Sequence, residues 1–197
     1  QSSTIILDGP VRAVSKRGAI GREWWGVQWV AAMERIGHGG RLDRGKRYAR
    51  NGSVLRLEIG QGIAYAEVSG SYGNSYRTAV HVRALDDGQW EKALRALSEQ
   101  AIYAAKLLAG EMPGDVEAVF QDVGLSLFPR SRKDIQFECS CPDYGDPCKH
   151  CAAVYYLLAE QFDADPFILF HLRGRNRDSV LETLRVHRGA GVDDTRA

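Results

Sequence analysis

The chain has 197 residues, of which 44% are hydrophobic and 26% charged, and its formal net charge is +1. That length and apolar fraction support one compact domain with an appended finger and exclude three ordinary domains. A charge so near zero excludes a global field that draws the protein to nucleic acid or membrane, so any such binding comes from local patches.

Residues 1–22 mix Gly, Pro, Ser and basic side chains with little periodicity, and read as an arm or a loose entry segment with a short strand at Thr4–Leu7. That apolar run is far too short for a signal-peptide core or a membrane span. A chain opening on Gln1 leaves room for a further N-terminal piece. From Glu23 the spacing of Trp25, Trp29 and Met33, with Val30 and Ile36, is helical and stops at Gly37. Its tryptophans read as core or a packing ledge ahead of a base-stacking platform.

Between positions 41 and 56 there are six basic side chains, Arg41, Arg44, Lys46, Arg47, Arg50 and Arg56, against one acid, Asp43. Such a run is either a solvated face or a phosphate-binding one, and Tyr48 within it favours the second. The period then changes to two. Leu55, Leu57 and Ile59, then Ile63 to Val68, then Tyr76, Thr78, Val80 and Val82 form a three-stranded antiparallel meander broken by Gly60-Gln-Gly62 and a Gly/Ser/Asn loop. Its outward face, with Arg56, Arg77, His81 and Arg83, extends the basic patch. His81 reads as an exposed strand histidine.

Asp86-Asp87 opens a long helix, 86–109, with an apolar stripe of Trp90, Leu94, Leu97, Ala101, Ala104 or Ala105, and Leu108. A short helix follows with Val116, Val119 and Phe120. Residues 86–122 hold eight acids against three bases, so the small net charge hides a polarised chain. An acidic surface beside a basic one suits a protein partner on one side and phosphate on the other, and equally two solvated faces. Leu125 to Pro129 is an extended link, and Arg130, Arg132 and Lys133 lead into a strand at Asp134–Glu138.

All four cysteines fall between positions 139 and 151. None is scattered to staple loops, which favours a reducing, cytoplasmic setting. Cys139 and Cys141 form one close pair and Cys148 and His150 another, joined by a Pro/Asp/Gly loop. Tetrahedral zinc takes thiolate and imidazole ligands, and two close pairs across a turn gather four of them at small loop-closure entropy. An apolar helical pattern from Ala152 to Phe162 follows, which sets the second pair on the first turn of a helix, where amide N–H groups favour thiolate. Cys151 either replaces His150 as ligand or packs as a small hydrophobe. Cys148-Lys-His-Cys151 also has the form of a thioredoxin-like redox pair, a reading that leaves Cys139 and Cys141 unexplained. A zinc deaminase needs His-x-Glu or Cys-x-Glu, and the chain has neither. Beyond this helix, Asp165-Pro166 caps a short helix with Phe167, Leu169 and Phe170, packed on Val154, Leu157 or Leu158, and Phe162. Arg173, Arg175 and Arg177 make another basic turn, Val180, Leu181 and Leu184 mark a last helix, and residues after His187 look frayed.

The spacing Cys-x-Cys-x6-Cys-x-His before an Ala-rich helix resembles the SWIM zinc finger. Trp24-Trp25-Gly-x-x-Trp29, Arg47-Tyr-Ala-Arg50, Ala104 to Pro113, Gly124 to Pro129 and Asp165-Pro-Phe167 resemble bacterial SWIM proteins associated with Swi/Snf-type helicases. The resemblance implies one structural zinc on Cys139, Cys141, Cys148 and His150 in a small strand–strand–helix unit. It also implies DNA binding or protein–protein contact, without separating them. The expected fold is α+β, an antiparallel meander with flanking helices over 1–125, the finger at 126–163 and a helical tail at 164–197. A four-ligand zinc has no open position for substrate, and no phosphate loop, nucleophile elbow or motif-placed carboxylate pair appears, so the expected role is not enzymatic. The expected function is a nucleic-acid-binding adaptor, DNA ahead of RNA, working with a Swi/Snf-type helicase and away from membranes. Arg130, Arg132, Lys133, Lys149, Arg173, Arg175, Arg47 and Arg50 are its candidate phosphate contacts. The alternative is a zinc-stabilised protein-interaction module that docks a partner on the acidic helix.

Overall fold

The structure, a computed structural model, describes residues 3–37 and 39–193. The elements run β1 Ile5–Val11, α1 Trp24–Ile36, α2 Gly39–Arg50, β2 Val54–Ile59, β3 Ile63–Ser69, β4 Ser75–Val82, α3 Asp87–Ser98, α4 Ala101–Leu108, α5 Val116–Asp122, β5 Ile135–Cys139, α6 Lys149–Ala164, α7 Pro166–Leu172 and α8 Arg177–Asp193. The fold is α+β. The meander forms β2 to β4, and β1 and β5 extend it into a five-stranded antiparallel sheet in sequence order.

Alternation gives the sheet one apolar face, with Leu57, Ile59, Ala64, Val68, Val80 and Val82 buried. Helix α6 lies against it, touching β2, β4 and β5, and packs on α1, α2 and α7. A helix in that position needs apolar residues all round, and every residue from Ala152 to Ala159 is buried. Where α2 crosses α6, Gly45 allows the approach: a Cβ there would lie 2.5 Å from the Cβ of Ala152. Trp25 and Trp29 are core, and Trp29 stacks on Tyr155 with ring centroids 4.1 Å apart.

Several sequence expectations are corrected. The long helix 86–109 is two helices, broken at Glu99-Gln100, so Tyr103, Ala104 and Leu107 are buried while Ala101 and Leu108 face out. The N-terminal arm is tied down by two α6 carboxylates. Glu160 accepts from the Val14 N–H at 2.7 Å and from Ser15, and Asp163 accepts from the Arg22 and Glu23 N–H groups. The basic character of the sheet's outward face is halved, because Arg56 pairs with Asp8 and Glu58, and His81 with Glu138, while Arg77 and Arg83 make no ion pair among the described residues. Helix α8 continues past His187 to Asp193.

Candidate metal centre

The metal site is built where β5 ends and α6 begins. Antiparallel pairing with β4 sets Cys139 opposite Thr78, so its side chain points to the sheet's inner face, toward α6. β5 finds its partner strand in β4, and the knuckle that follows adds no strand among the described residues. In the knuckle, Asp143 accepts from the Gly145 N–H at 2.9 Å and pairs with Arg41 of α2 at 3.2 Å, which fixes the turn. Cys148 is the N-cap of α6, its sulfur accepting from the Cys151 N–H at 3.4 Å, and His150 follows in the first turn.

The ligand atoms of Cys139, Cys141, Cys148 and His150 all lie within 4.8 Å of one another. The Nδ1 of His150 is 3.7 Å from the Cys139 sulfur and 3.9 Å from that of Cys148. Zn–S and Zn–N bonds of about 2.3 and 2.0–2.1 Å in a tetrahedron set S···N edges of about 3.6 Å, close to these two separations. The four cysteines make no disulfide. The His150 ring is held between Tyr48 and Tyr76, with centroids at 5.3 and 4.8 Å.

Hydrogen bonds from the Cys148 and Cys151 thiols, then from His150 and Thr78, hold Cys139 far below the ordinary thiol range despite its burial. The same contact with Cys139 pushes Cys148 up to about 12. Crowded thiols sharing protons are what a divalent cation relieves, since it takes each sulfur as thiolate. Cys151 stands outside the set of four. Contact with Cys139 and Cys148, then burial, pushes its pKa up, and its thiol donates to the Glu138 carbonyl at 3.5 Å.

The eight basic candidates separate by environment. Lys133 and Arg47 are exposed, and with Lys149 they make no ion pair among the described residues. Lys149 sits 5.2 Å over the Tyr48 ring. Arg130 is exposed with one bond to the Leu125 carbonyl, and Arg132 is exposed but paired with Asp146. Three candidates are corrected. Arg173 is buried, at 5% exposure, and cannot reach a passing backbone. Arg175 is held by Asp87 and Thr183. Arg50 gives its guanidinium to the Ser15 and Gly18 carbonyls of the arm.

Arg44, counted in the basic run but not among the candidate contacts, is exposed without an ion pair among the described residues, and sequence reasoning missed two exposed tyrosines. Tyr144 projects fully into solvent from the knuckle turn, and Tyr72 is 95% exposed in the β3–β4 loop, next to Ser71, whose hydroxyl meets the Tyr48 phenol at 2.7 Å. A ring inside Pro-Asp-Tyr-Gly-Asp has no core to enter, and that was the available signal. Against the upward pull of its burial, the Ser71 hydrogen bond and the nearby Lys149 and Arg47 cations hold the Tyr48 phenol below its ordinary range.

The SWIM zinc finger family model matches residues 133–159. An uncharacterized protein of Mycobacterium tuberculosis (strain ATCC 25618 / H37Rv), Rv2102, is 48% identical over 186 residues, which are 94% of this chain and 67% of that protein. No solved structure matches the chain. The match and the cage together make the centre a structural zinc site.

Proposed function

We propose, on the premise that the chain belongs to the family of the mycobacterial protein Rv2102 and carries a SWIM zinc finger, that it is a non-catalytic adaptor gripping nucleic acid beside a Swi/Snf-type helicase. The carrying observation is the rim of the knuckle. Arg44, Arg47 and Lys149 make no ion pair among the described residues, the Tyr144 ring stands in solvent on the knuckle turn, and the Tyr72 ring stands in solvent next to Ser71, which bonds the Tyr48 phenol beneath Lys149. Cations supply sequence-independent attraction to phosphate, and free rings supply faces for unpaired bases. A zinc with four protein ligands acts here as a brace that fixes the rim, with no position left for substrate.

The test is fluorescence anisotropy with labelled single- and double-stranded DNA and RNA across a salt series. Affinity should fall steeply with salt, and replacing Arg47 and Lys149 by alanine should flatten that fall while zinc content is unchanged. Salt-insensitive binding, or none, overturns the reading.

A second reading, a protein-interaction module, is favoured by α4. Ala101, Ile102, Ala105 and Leu108 are exposed there, Ile102 at 54% and Leu108 at 45%, flanked by the exposed Glu99 and Glu111. An apolar stripe in an acidic border is a docking surface in composition. Nuclease-resistant, salt-resistant binding to a purified Swi/Snf-type helicase, lost in Ile102→Glu, supports this reading.

A further inference from the structure

A second polar site lies at the opposite end of the β4–β5 pair from the zinc centre. Thr78 pairs with Cys139 at one end and Val82 with Ile135 at the other, which separates the two by about 13 Å at strand rise. Beyond Val82 a cleft of about 210 Å³ opens between the first turn of α3, the 124–130 link and the end of α7. Arg83, Arg130 and Arg173 all line it, with one acid, Asp134.

Arg173 is 5% exposed, and its guanidinium makes one hydrogen bond, from Nη2 to the Ser126 carbonyl at 2.9 Å, while Nε is buried with no partner. It forms no salt bridge among the described residues. A buried cation without a direct counterion is destabilising and is found where an anion completes it. Burial pushes the Arg173 guanidinium down to about 10, opposed by Asp134 and Glu117 and reinforced by Arg83. Neither carboxylate contacts it. Asp134 accepts from the Arg130 and Ser131 N–H groups, and Glu117 from Ser126 and the Leu127 N–H. The Arg83 side chain is exposed and makes no hydrogen bond among the described residues, and Arg130 uses one donor on the Leu125 carbonyl.

We infer that this cleft binds a phosphate group, as free phosphate or the monoester of a small molecule, with Arg173 as the buried anchor and Arg83 and Arg130 closing on the outer oxygens. Three guanidinium groups against one carboxylate leave an excess matching a phosphate dianion, whereas a monocarboxylate leaves a cation uncompensated. The volume is below the roughly 300–1,000 Å³ of sites that enclose drug-sized ligands, so the phosphate itself is what the cleft recognises. The inference stands apart from the nucleic-acid reading, which uses the other end of the sheet.

The experiment is isothermal titration of the full zinc-loaded chain with inorganic phosphate, a ribonucleoside 5′-monophosphate and acetate at constant ionic strength. Saturable phosphate or monophosphate binding, in about the millimolar range or tighter, is expected, with acetate at least tenfold weaker. Equal binding of the two phosphates identifies free phosphate as sufficient, and tighter monophosphate binding identifies a monoester. The double variant Arg83→Gln/Arg130→Gln changes exposed side chains, retains zinc, and should weaken binding tenfold or more. Absence of saturable binding, acetate binding as tightly, or full binding by the double variant overturns the inference.

Discussion

Trp29 and Tyr155 are joined three ways. Their rings stack at 4.1 Å with an interplanar angle of 8°, the Trp29 indole N–H donates to the Tyr155 carbonyl at 3.0 Å, and the Tyr155 hydroxyl donates to the Trp29 carbonyl at 2.6 Å. The reciprocal bonds lock α1 to α6 one turn beyond the metal ligands. Tyr155→Phe removes one hydrogen bond from a carbonyl that keeps its helical partner in α1, and should lower stability by about 0.5–1.5 kcal/mol. Trp29→Ala should lower it by about 3–5 kcal/mol as its packing is removed. Urea unfolding measures both.

Purified protein should contain one zinc per chain by metal analysis. Cys148→Ser should lose it and unfold at lower temperature, because metal binding free energy is folding free energy in such sites. Cys151→Ser should retain it, since that sulfur lies outside the set of four. Chelation should act more readily as pH falls, because protons compete for the thiolates.

Gly45→Ala places a methyl 2.5 Å from the Ala152 Cβ, which should cost about 1–3 kcal/mol by overpacking. Ala152→Gly in the same chain should recover part of that loss, whereas alone it should destabilise by about 1 kcal/mol through helix propensity. Non-additivity in denaturant midpoints identifies the α2–α6 crossing as the cause.

Asp163 gives a pH signature. Burial raises its pKa above 3.8, against the two backbone N–H bonds that lower it. The folded chain therefore holds this proton where the unfolded chain has lost it, so stability from this group is fullest below the unfolded pKa and declines as pH rises through the folded one. Comparing wild type with Asp163→Asn by urea unfolding between pH 3 and 7 should show wild type losing ground as pH rises. The opposite trend would mean that the N–H bonds outweigh burial.

Salt should separate the basic residues. Neutralising one phosphate-binding cation on the knuckle rim, Arg47 or Lys149, should reduce the slope of log affinity against log salt by about 0.9 on duplex DNA or about 0.7 on single strands. Arg50→Ala should leave the slope unchanged and lower stability, because its guanidinium holds the arm.

Local signals made much of this chain legible. The spacing of four soft ligands named the zinc cage, and period-two alternation named β2 to β4. The capping box of Asp86 with Gln89 marks the start of α3. What stayed hidden depends on distant partners. Nothing local at Glu99-Gln100, neither Gly nor Pro, announces the break between α3 and α4. β5 reads as a strand, but its partner lies some sixty positions earlier. Arg173 looks like any turn arginine until the 124–130 link and Trp90 close around it, the indole N–H donating to its carbonyl at 3.0 Å. Glu160 and Asp163 carry no local signal of their role, and only the N-terminal arm supplies their partners.

Because α6 is buried on every side from Ala152 to Ala159, the stretch matched by the family model is not where the helix obtains most of its cover. A peptide cut to residues 133–159 would carry all four ligands, yet Tyr155, Tyr156 and Leu158 would meet water without Trp29, Gly45 or the inner strands above them. Such a fragment should clump or melt even when saturated with metal. Transplanting this finger into another protein therefore means moving the walls of the room along with the lock.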